Sequence, residues 1–423
     1  MIKQREEKTE TIFVQIASYR DPQLLPTLRD MIEKADHPES IHVGLAWQRN
    51  PDDEWDNLDE FQDNSNFKII DINYKEAKGV CWARHAVQSL YDEEDYTLQL
   101  DSHHRFAKGW DTTLKQMTKD LQSNGHAKPL ITAYIPSFDP DNDPQGRVNV
   151  PWKMNFDRFI PEGAVFFLPA TFDNHDDNSR PLPARFYSAH FAFSVGSFAK
   201  EVRHDPNMYF HGEEISIAAR AFTHGYDLFH PHKVVCWHEY TRKGRKKHWD
   251  DHKNWHVTNT KSHSRNRKLF GMDNEKQDID FGEYGFGSER TLLEYEKYAG
   301  LCFSKRSISP QTKDKISPNL NNKITDENFY ASLLSIFRHC IDISFNQVPY
   351  DDYDFWCVAF KDAEGKDIYR QDASKEEIQR MMTDPDGYCK IWREFQTEVK
   401  PSIWLVWPHS QSKGWSEPIT GLL

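Results

Sequence analysis

Four short stretches of the 423-residue sequence carry side chains whose types and spacing could do chemistry. In Leu98-Gln99-Leu100-Asp101-Ser102-His103, an apolar run ends on an aspartate with a histidine two positions on. Residues two apart on extended backbone face the same side. A carboxylate and an imidazole converging there offer the mixed donors that suit Mn²⁺ or a similar divalent ion. The plainer alternative is an aspartate capping a turn beside surface histidines. His238 also follows an apolar run, Val234-Val235-Cys236-Trp237, and precedes Tyr240, Arg242, Lys243, Arg245, Lys246 and Lys247. A metal ligand beside such a cationic stretch suits a diphosphate whose charge grows as a bond breaks. A solvated basic loop is the competing reading. In His211-Gly212-Glu213-Glu214, two acids open a predicted helix. The helix dipole alone favours acids there, yet a carboxylate so placed could also bind sugar hydroxyls or take an acceptor proton. Lys78-Gly79-Val80-Cys81-Trp82-Ala83-Arg84 places an arginine one turn into a glycine-opened helix. Its guanidinium can reach phosphate, or simply lie on a solvated face.

These side chains need a scaffold, and the apolar periodicity supplies one. Strands are predicted at Ile12 to Ile16, Ile41 to Trp47, Phe67 to Ile72 and Tyr96 to Leu100, with helices after Pro22 and over Val80 to Tyr91. Strand and helix alternate, which argues for an open, mainly parallel α/β sheet. Ligands bind such sheets beyond the carboxyl ends of strands. Asp101 and Ser18 to Asp21 both stand at such ends. After a strand at Leu130 to Ile135, residues 136–185 are rich in Pro, Asp and Asn and read as a long excursion. Loops of that length are usually functional or disordered. Regular structure resumes at Tyr187 to Val195, then a helix at Glu214 to His224 ending at Gly225, and a strand at Lys233 to Trp237. The expected organisation is a catalytic domain over 11–303, a polar linker over 304–323 and a small β-rich accessory domain over 324–423. Within the last, Trp356 to Phe360 and Lys366 to Arg370 flank the turn Asp362-Ala363-Glu364-Gly365 as a hairpin, and Ser402 to Trp407 is a further strand.

Composition narrows the function classes. With 38% hydrophobic and 13% aromatic residues, the chain can bury a core, which excludes wholesale disorder. A net charge of −13 argues against wholesale nucleic-acid binding. The sequence contains no apolar run of the ~20 residues that a transmembrane helix needs. The charged start, Met1 to Thr11, is not followed by the apolar segment of a secretory signal. Six widely spaced cysteines without a CxxC pair read as thiols in a reducing compartment. A cytoplasmic location is therefore expected.

Taken in order, ASYRD at the first strand end, GVCWARHAV, QLDSHHRF, FYSAHFAFS, HGEEISIAARAFTHGYDLFHP and VVCWHEY resemble a GlcNAc-transferase family. That family is typified by a cytoplasmic enzyme that modifies hydroxyproline on a protein; more distantly, the set is similar to the polypeptide GalNAc-transferases. The resemblance covers about residues 11–270, roughly 60% of the chain. It implies a GT-A nucleotide-sugar transferase fold (a Rossmann-like mixed sheet), a UDP-GlcNAc donor, Mn²⁺ or Mg²⁺, and retention at the anomeric carbon. Carried over by position, Asp101 and His103 match an Asp-x-His metal motif and His238 the third metal ligand. Ser18, Tyr19 and Arg20 match the loop near the nucleoside, Asp71 a uracil contact and Arg84 a diphosphate contact. Ala189 and His190 fall at the sugar-contacting turn, and Glu213 and Glu214 at the acidic catalytic site. Tyr240, Arg242 and Arg245 belong to a flap over the diphosphate. In the GalNAc-transferases the sugar-contacting turn is glycine-rich, whereas here it is Ser188-Ala189-His190. The implied acceptor is a hydroxyl on protein or glycan. Two rival readings are a metal-dependent phosphoesterase and a carbohydrate-binding protein that stacks sugars on Trp392, Trp404, Trp407 and Trp415.

Overall fold

The computed structural model describes residues 9–160, 162–172, 179–241, 244–275, 278–321, 323–385, 387–397 and 399–423. The chain divides into two compact units. One comprises residues up to Arg306 together with Gln311–Phe329; the other comprises Ser307–Pro310 and Tyr330–Leu423.

Twelve strands of the first unit matter here: β1 (Ile12–Tyr19), β2 (Ile41–Arg49), β3 (Phe67–Asn73), β4 (Tyr96–Leu100), β5 (His104–Phe106), β6 (Pro129–Thr132), β7 (Trp152–Phe159), β8 (Val165–Thr171), β9 (Leu182–Pro183), β10 (Phe191–Val195), β11 (Asp227–His230) and β12 (Cys236–His238). Eight of them form one mixed sheet in the order β3-β2-β1-β4-β10-β6-β11-β9. β1 to β4 run parallel, with Ile12 opposite Ile41 on one side and Tyr96 on the other. Ile12, Val14, Ile16, Val43, Leu45, Leu98 and Leu100 are all buried, as expected of strands covered on both faces. β10 runs antiparallel to β4, pairing Phe191 with Leu100. Its first residues therefore stand beside the end of β4. The chain lays β2 and β3 on one side of β1 and β4 on the other, so the ends of β1 and β4 flank a topological switch point.

Helices α1 (Leu24–Lys34), α2 (Asp59–Gln62), α3 (Val80–Gln88), α4 (Trp110–Ser123), α5 (Phe198–Glu201), α6 (Glu213–Thr223), α7 (His248–Asp251) and α8 (Trp255–Phe270) connect and cover these strands. α1 turns Leu24, Leu28 and Met31 into the core that also holds Trp110, Phe191 and Phe193. α6 ends where Gly225 takes a φ of 87°, a left-handed conformation that favours glycine. Two small pairings lie off the main sheet: β5 with β12, and the hairpin β7–β8.

The structure departs from the sequence reading in three places. Residues 136–185 are not one long loop, because β7 and β8 pair from Trp152 opposite Thr171 to Phe159 opposite Val165. Polar and Pro-rich flanks hide that short ribbon. α8 forms over residues 255–270, where no element was predicted; it is polar nearly all round, so no apolar stripe announces it. The stretch expected as a linker, 304–323, is partly folded: Pro310–Lys313 is helical and Leu320 packs against the core of the first unit.

The second unit is β-rich. Tyr353–Lys361 pairs with Asp367–Arg370 and with Ile403–Ser410, and Ile336–Ser344 pairs with Tyr388–Gln396. Trp356, Val358, Phe360, Ile341, Ile391 and Phe395 form a separate core. Of the tryptophans proposed to stack sugars, Trp407 packs on Trp415 at 4.5 Å and donates its indole N–H to the Ser416 carbonyl. Trp392 lies exposed under the Arg338 guanidinium. All six cysteines are free. Among the described residues, no helix is long and apolar enough to cross a membrane.

Phe193 is fully buried on β10, the strand that joins the two halves of the sheet. Phe193→Ala is expected to cost about 3–5 kcal/mol in urea denaturation. A loss below about 1 kcal/mol would mean that the core does not close around this ring.

Candidate active site

β4 delivers Asp101 to the edge of the sheet, and the chain then turns through Ser102 into β5. β5 pairs antiparallel with β12, setting His104 opposite His238. The backbone extends this contact: Glu239 N–H donates to the His103 carbonyl and His238 N–H to the Pro136 carbonyl. Three side chains distant in sequence thereby converge. Ligand atoms of Asp101, His103 and His238 all lie within 4.8 Å of one another. Asp101 Oδ2 stands 3.7 Å from His103 Nε2 and 3.5 Å from His238 Nε2.

The donor set fits a divalent ion. Both ring nitrogens of His238 are buried without a hydrogen-bond partner, an arrangement that costs free energy unless something else engages them. Burial, together with the imidazoles of His103 and His104, holds His238 well below the usual histidine range despite the pull of Asp101. The ring is therefore neutral, which is the form that ligates metals. Burial opposes ionisation of Asp101, but the His238 contact and the charge of Arg84 outweigh it and keep this carboxyl well below the usual carboxylate range.

Around this cluster lies a cavity of about 510 Å³. Its wall includes Tyr19, Arg84, Ala189, His190, Glu213, Glu214, Tyr240 and Arg245 as well as the three ligand residues. Arg84 comes from α3, which opens at Gly79 with a φ of 113°. A Cβ at Gly79 would stand 2.6 Å from the Tyr209 ring, so this turn needs glycine twice over. Arg84 NH2 donates to Asp101 Oδ1 at 2.7 Å, and its NH1 lies 3.6 Å from Glu213 Oε1. Burial works against the charge on this guanidinium, but Asp101 and Glu213 raise its pKa and keep it cationic.

Ala189 and His190 precede β10 and so stand beside the end of β4. Ala189 N–H donates to Glu214 Oε1 at 2.9 Å, and the Tyr134 hydroxyl donates to Oε2 at 2.9 Å. His190 stacks on His238 with ring centroids 4.2 Å apart. Its Nε2 accepts from Ile135 N–H and faces the Tyr240 hydroxyl at 3.2 Å.

Other expected site residues take different places. Tyr19 lines the cavity and donates to Asp251 Oδ2 of α7. Ser18 and Arg20 do not line it: the Ser18 carbonyl accepts from Gln48, and Arg20 pairs with Asp53 and Asp251. Asp71 lies on the outermost parallel strand, bound through both oxygens to Arg49 and half exposed, away from the cavity wall. Arg242 falls outside the described residues. Arg245 reaches inward, with NH1 3.2 Å from Asp21 Oδ2 and NH2 2.9 Å from Glu239 Oε2. That NH1 also lies 2.9 Å from His103 Nε2 and against His103 Nδ1. Sequence reasoning assigned no role to Asp21, Tyr134, Tyr209 or Glu239. Only Asp21, at the end of the first strand, carried a positional hint.

A family model described as Glycosyltransferase (GlcNAc) matches residues 11–65 and 54–305. No curated protein matches the sequence. Among solved structures, the chain is similar to GalNAc-T7 with UDP, GalNAc and Mn²⁺, at 12% identity and a TM-score of 0.45. That match covers 68% of this chain and 55% of the other, so this chain spans little more than half of that relative. It is also similar to TarS of S. aureus in complex with UDP-GlcNAc, at 12% identity and a TM-score of 0.37 over 63% of this chain and 68% of that one.

Burial and the neighbouring Glu213 raise the pKa of Glu214, against the hydrogen bonds from Ala189 and Tyr134. A raised folded-state value favours the neutral acid. The resulting stability is complete below the ordinary glutamate value and is lost as pH climbs through the folded one. Native protein should thus lose more stability than Glu214→Gln between about pH 5 and about pH 9 in urea denaturation. Equal losses would show that this carboxyl ionises as if in water.

Proposed function

Given that the chain belongs to the glycosyltransferase (GlcNAc) family, we propose that it transfers GlcNAc from UDP-GlcNAc to a hydroxyl on protein or glycan, with retention at the anomeric carbon. The observation that carries this reading is the convergence of Asp101, His103 and His238 beside Arg84 on one cavity wall. Those three residues would hold Mn²⁺ or Mg²⁺. Such an ion, when bound, supplies charge neutralisation for the diphosphate and makes UDP a better leaving group.

The remaining roles belong to the protein's own groups. Arg84, fixed by Asp101 and Glu213, presents buried guanidinium nitrogens that no hydrogen bond occupies, and these would bind diphosphate oxygens. The segment carrying Tyr240, Arg242 and Arg245 would close over the diphosphate and exclude water, so that transfer outcompetes hydrolysis. Ala189, His190, Glu213 and Glu214 would seat the sugar; Tyr19 would border the nucleoside. Glu214 already accepts from Tyr134 and Ala189, which suits a fixed sugar contact better than a base. Retention needs no strong base, since the departing phosphate oxygen can take the acceptor proton. For an inverting reaction Glu214 would have to serve as that base.

A screen of UDP-sugars with Mn²⁺, read as UDP release and followed by mass spectrometry of acceptors, tests the reading. UDP-GlcNAc should release UDP, while nucleotide monoesters should stay intact; the opposite pattern would favour a phosphoesterase. Asp101→Ala and His238→Ala should each abolish Mn²⁺-dependent UDP release while circular dichroism stays native. Full activity in either variant would remove these residues from the metal site.

A further inference from the structure

We propose that Asp21 is a positioning residue for the metal site, holding His103 in the Nδ1–H form so that Nε2 turns its lone pair toward Asp101 and His238. The inference rests on the metal-dependent reading above and assigns a residue outside the three ligands. Asp21 lies in the loop between β1 and α1 and is 3% exposed. Its Oδ1 accepts from the Gln23 N–H at 2.9 Å, and its Oδ2 accepts from the Ser102 hydroxyl at 2.7 Å. The same Oδ2 stands 2.7 Å from His103 Nδ1. An ionised carboxylate can only accept, so Nδ1 must carry the proton. Nε2 then bears the lone pair, 3.7 Å from Asp101 Oδ2. Arg245 NH1 lies against both ring nitrogens of His103 and so does not choose between the tautomers; the Asp21 carboxylate does.

The arrangement matters because a neutral imidazole has one lone pair. In the other tautomer His103 would point an N–H at the cation, and the site would keep two protein ligands instead of three. A carboxylate behind a ligating histidine also raises its basicity. Ser102 and Gln23 hold Asp21 itself, so the orientation passes from the β1 loop through the carboxylate to the ring. Arg245 is the other charged group facing Asp21, at 3.2 Å. A merely structural role would therefore be to anchor Arg245 and its segment, and the test must separate the two.

The test is the Mn²⁺ affinity of the full chain without nucleotide, measured by electron paramagnetic resonance of free Mn²⁺. Asp21→Asn keeps the size and removes the charge; it should weaken binding about 10–100-fold while the melting temperature stays close to native. Arg245→Ala leaves the ligands and the Asp21–His103 contact in place and should weaken Mn²⁺ binding less than Asp21→Asn does. Asp101→Ala should lose binding. If Asp21→Asn binds within about two-fold of native while Asp101→Ala does not bind, the positioning role is wrong and the metal reading stands. An Arg245→Ala loss equal to that of Asp21→Asn would also overturn it, because Asp21 would then act through Arg245. Native affinity in Asp101→Ala would overturn the metal reading, and this inference with it. Should Asp21→Asn fail to fold, nitrogen NMR of the histidine-labelled native chain decides. A His103 signal with the proton on Nδ1, identified by its absence in His103→Gln, supports the assignment, and a proton on Nε2 overturns it.

Discussion

The pairing of β5 with β12, three residues each, sets His104 against His238 and so fixes where the second ligand imidazole stands relative to Asp101. Strand pairing has a period of two, so a slip by one residue would turn His238 to the opposite face. Asp101 and His103 would then share only each other. Backbone bonds on both sides oppose that slip: Phe138 N–H to the His238 carbonyl, and Glu239 N–H to the His103 carbonyl. The large sheet contributes the floor of the site. Its geometry is set by this small ribbon beyond the sheet's edge.

Charge is packed densely around that ribbon, and each of two buried arginines lies between two carboxylates. Arg84 lies between Asp101 and Glu213, while Arg245 lies between Asp21 and Glu239. An unpaired ion at such depth costs several kcal/mol. The two arginines differ in their attachment. Arg84 projects from a helix that begins at a glycine no other residue can replace without strain. Arg245 sits on an irregular stretch just before α7. One cation is thus built into the scaffold and the other is carried on a connection.

Much of this was legible in the chain. β1 and β2 are largely apolar runs ending in polar residues, and the alternation of strand and helix from β1 to β4 points to a parallel order. Asp101, His103 and His238 stand out because each follows such a run. What stayed hidden was lateral. Nothing local in the sequence says that β10 reverses direction beside β4, which is what brings Ala189 and His190 to the cluster. Asp71 lies near the end of β3, but that strand stands at the sheet's margin, where Arg49 takes it. Position along a strand was readable; position across the sheet was not. The same limit hid Tyr134 and Glu239, whose roles depend on partners far away in sequence. The tail's β character was readable from its alternation and its turn, whereas α8 lacked an apolar stripe to betray it.

Asp251 of α7 accepts from both Tyr19 and Arg20, two successive residues at the end of β1. Tyr19 lines the cavity, and Arg20 holds a left-handed backbone with a φ of 44°. One carboxylate therefore ties the first strand's end to the last segment that borders the cavity. Removing that carboxylate would take a partner from both residues. A change at Asp251 would thus be felt by two neighbouring side chains at once, of which only Arg20 keeps a second carboxylate, Asp53.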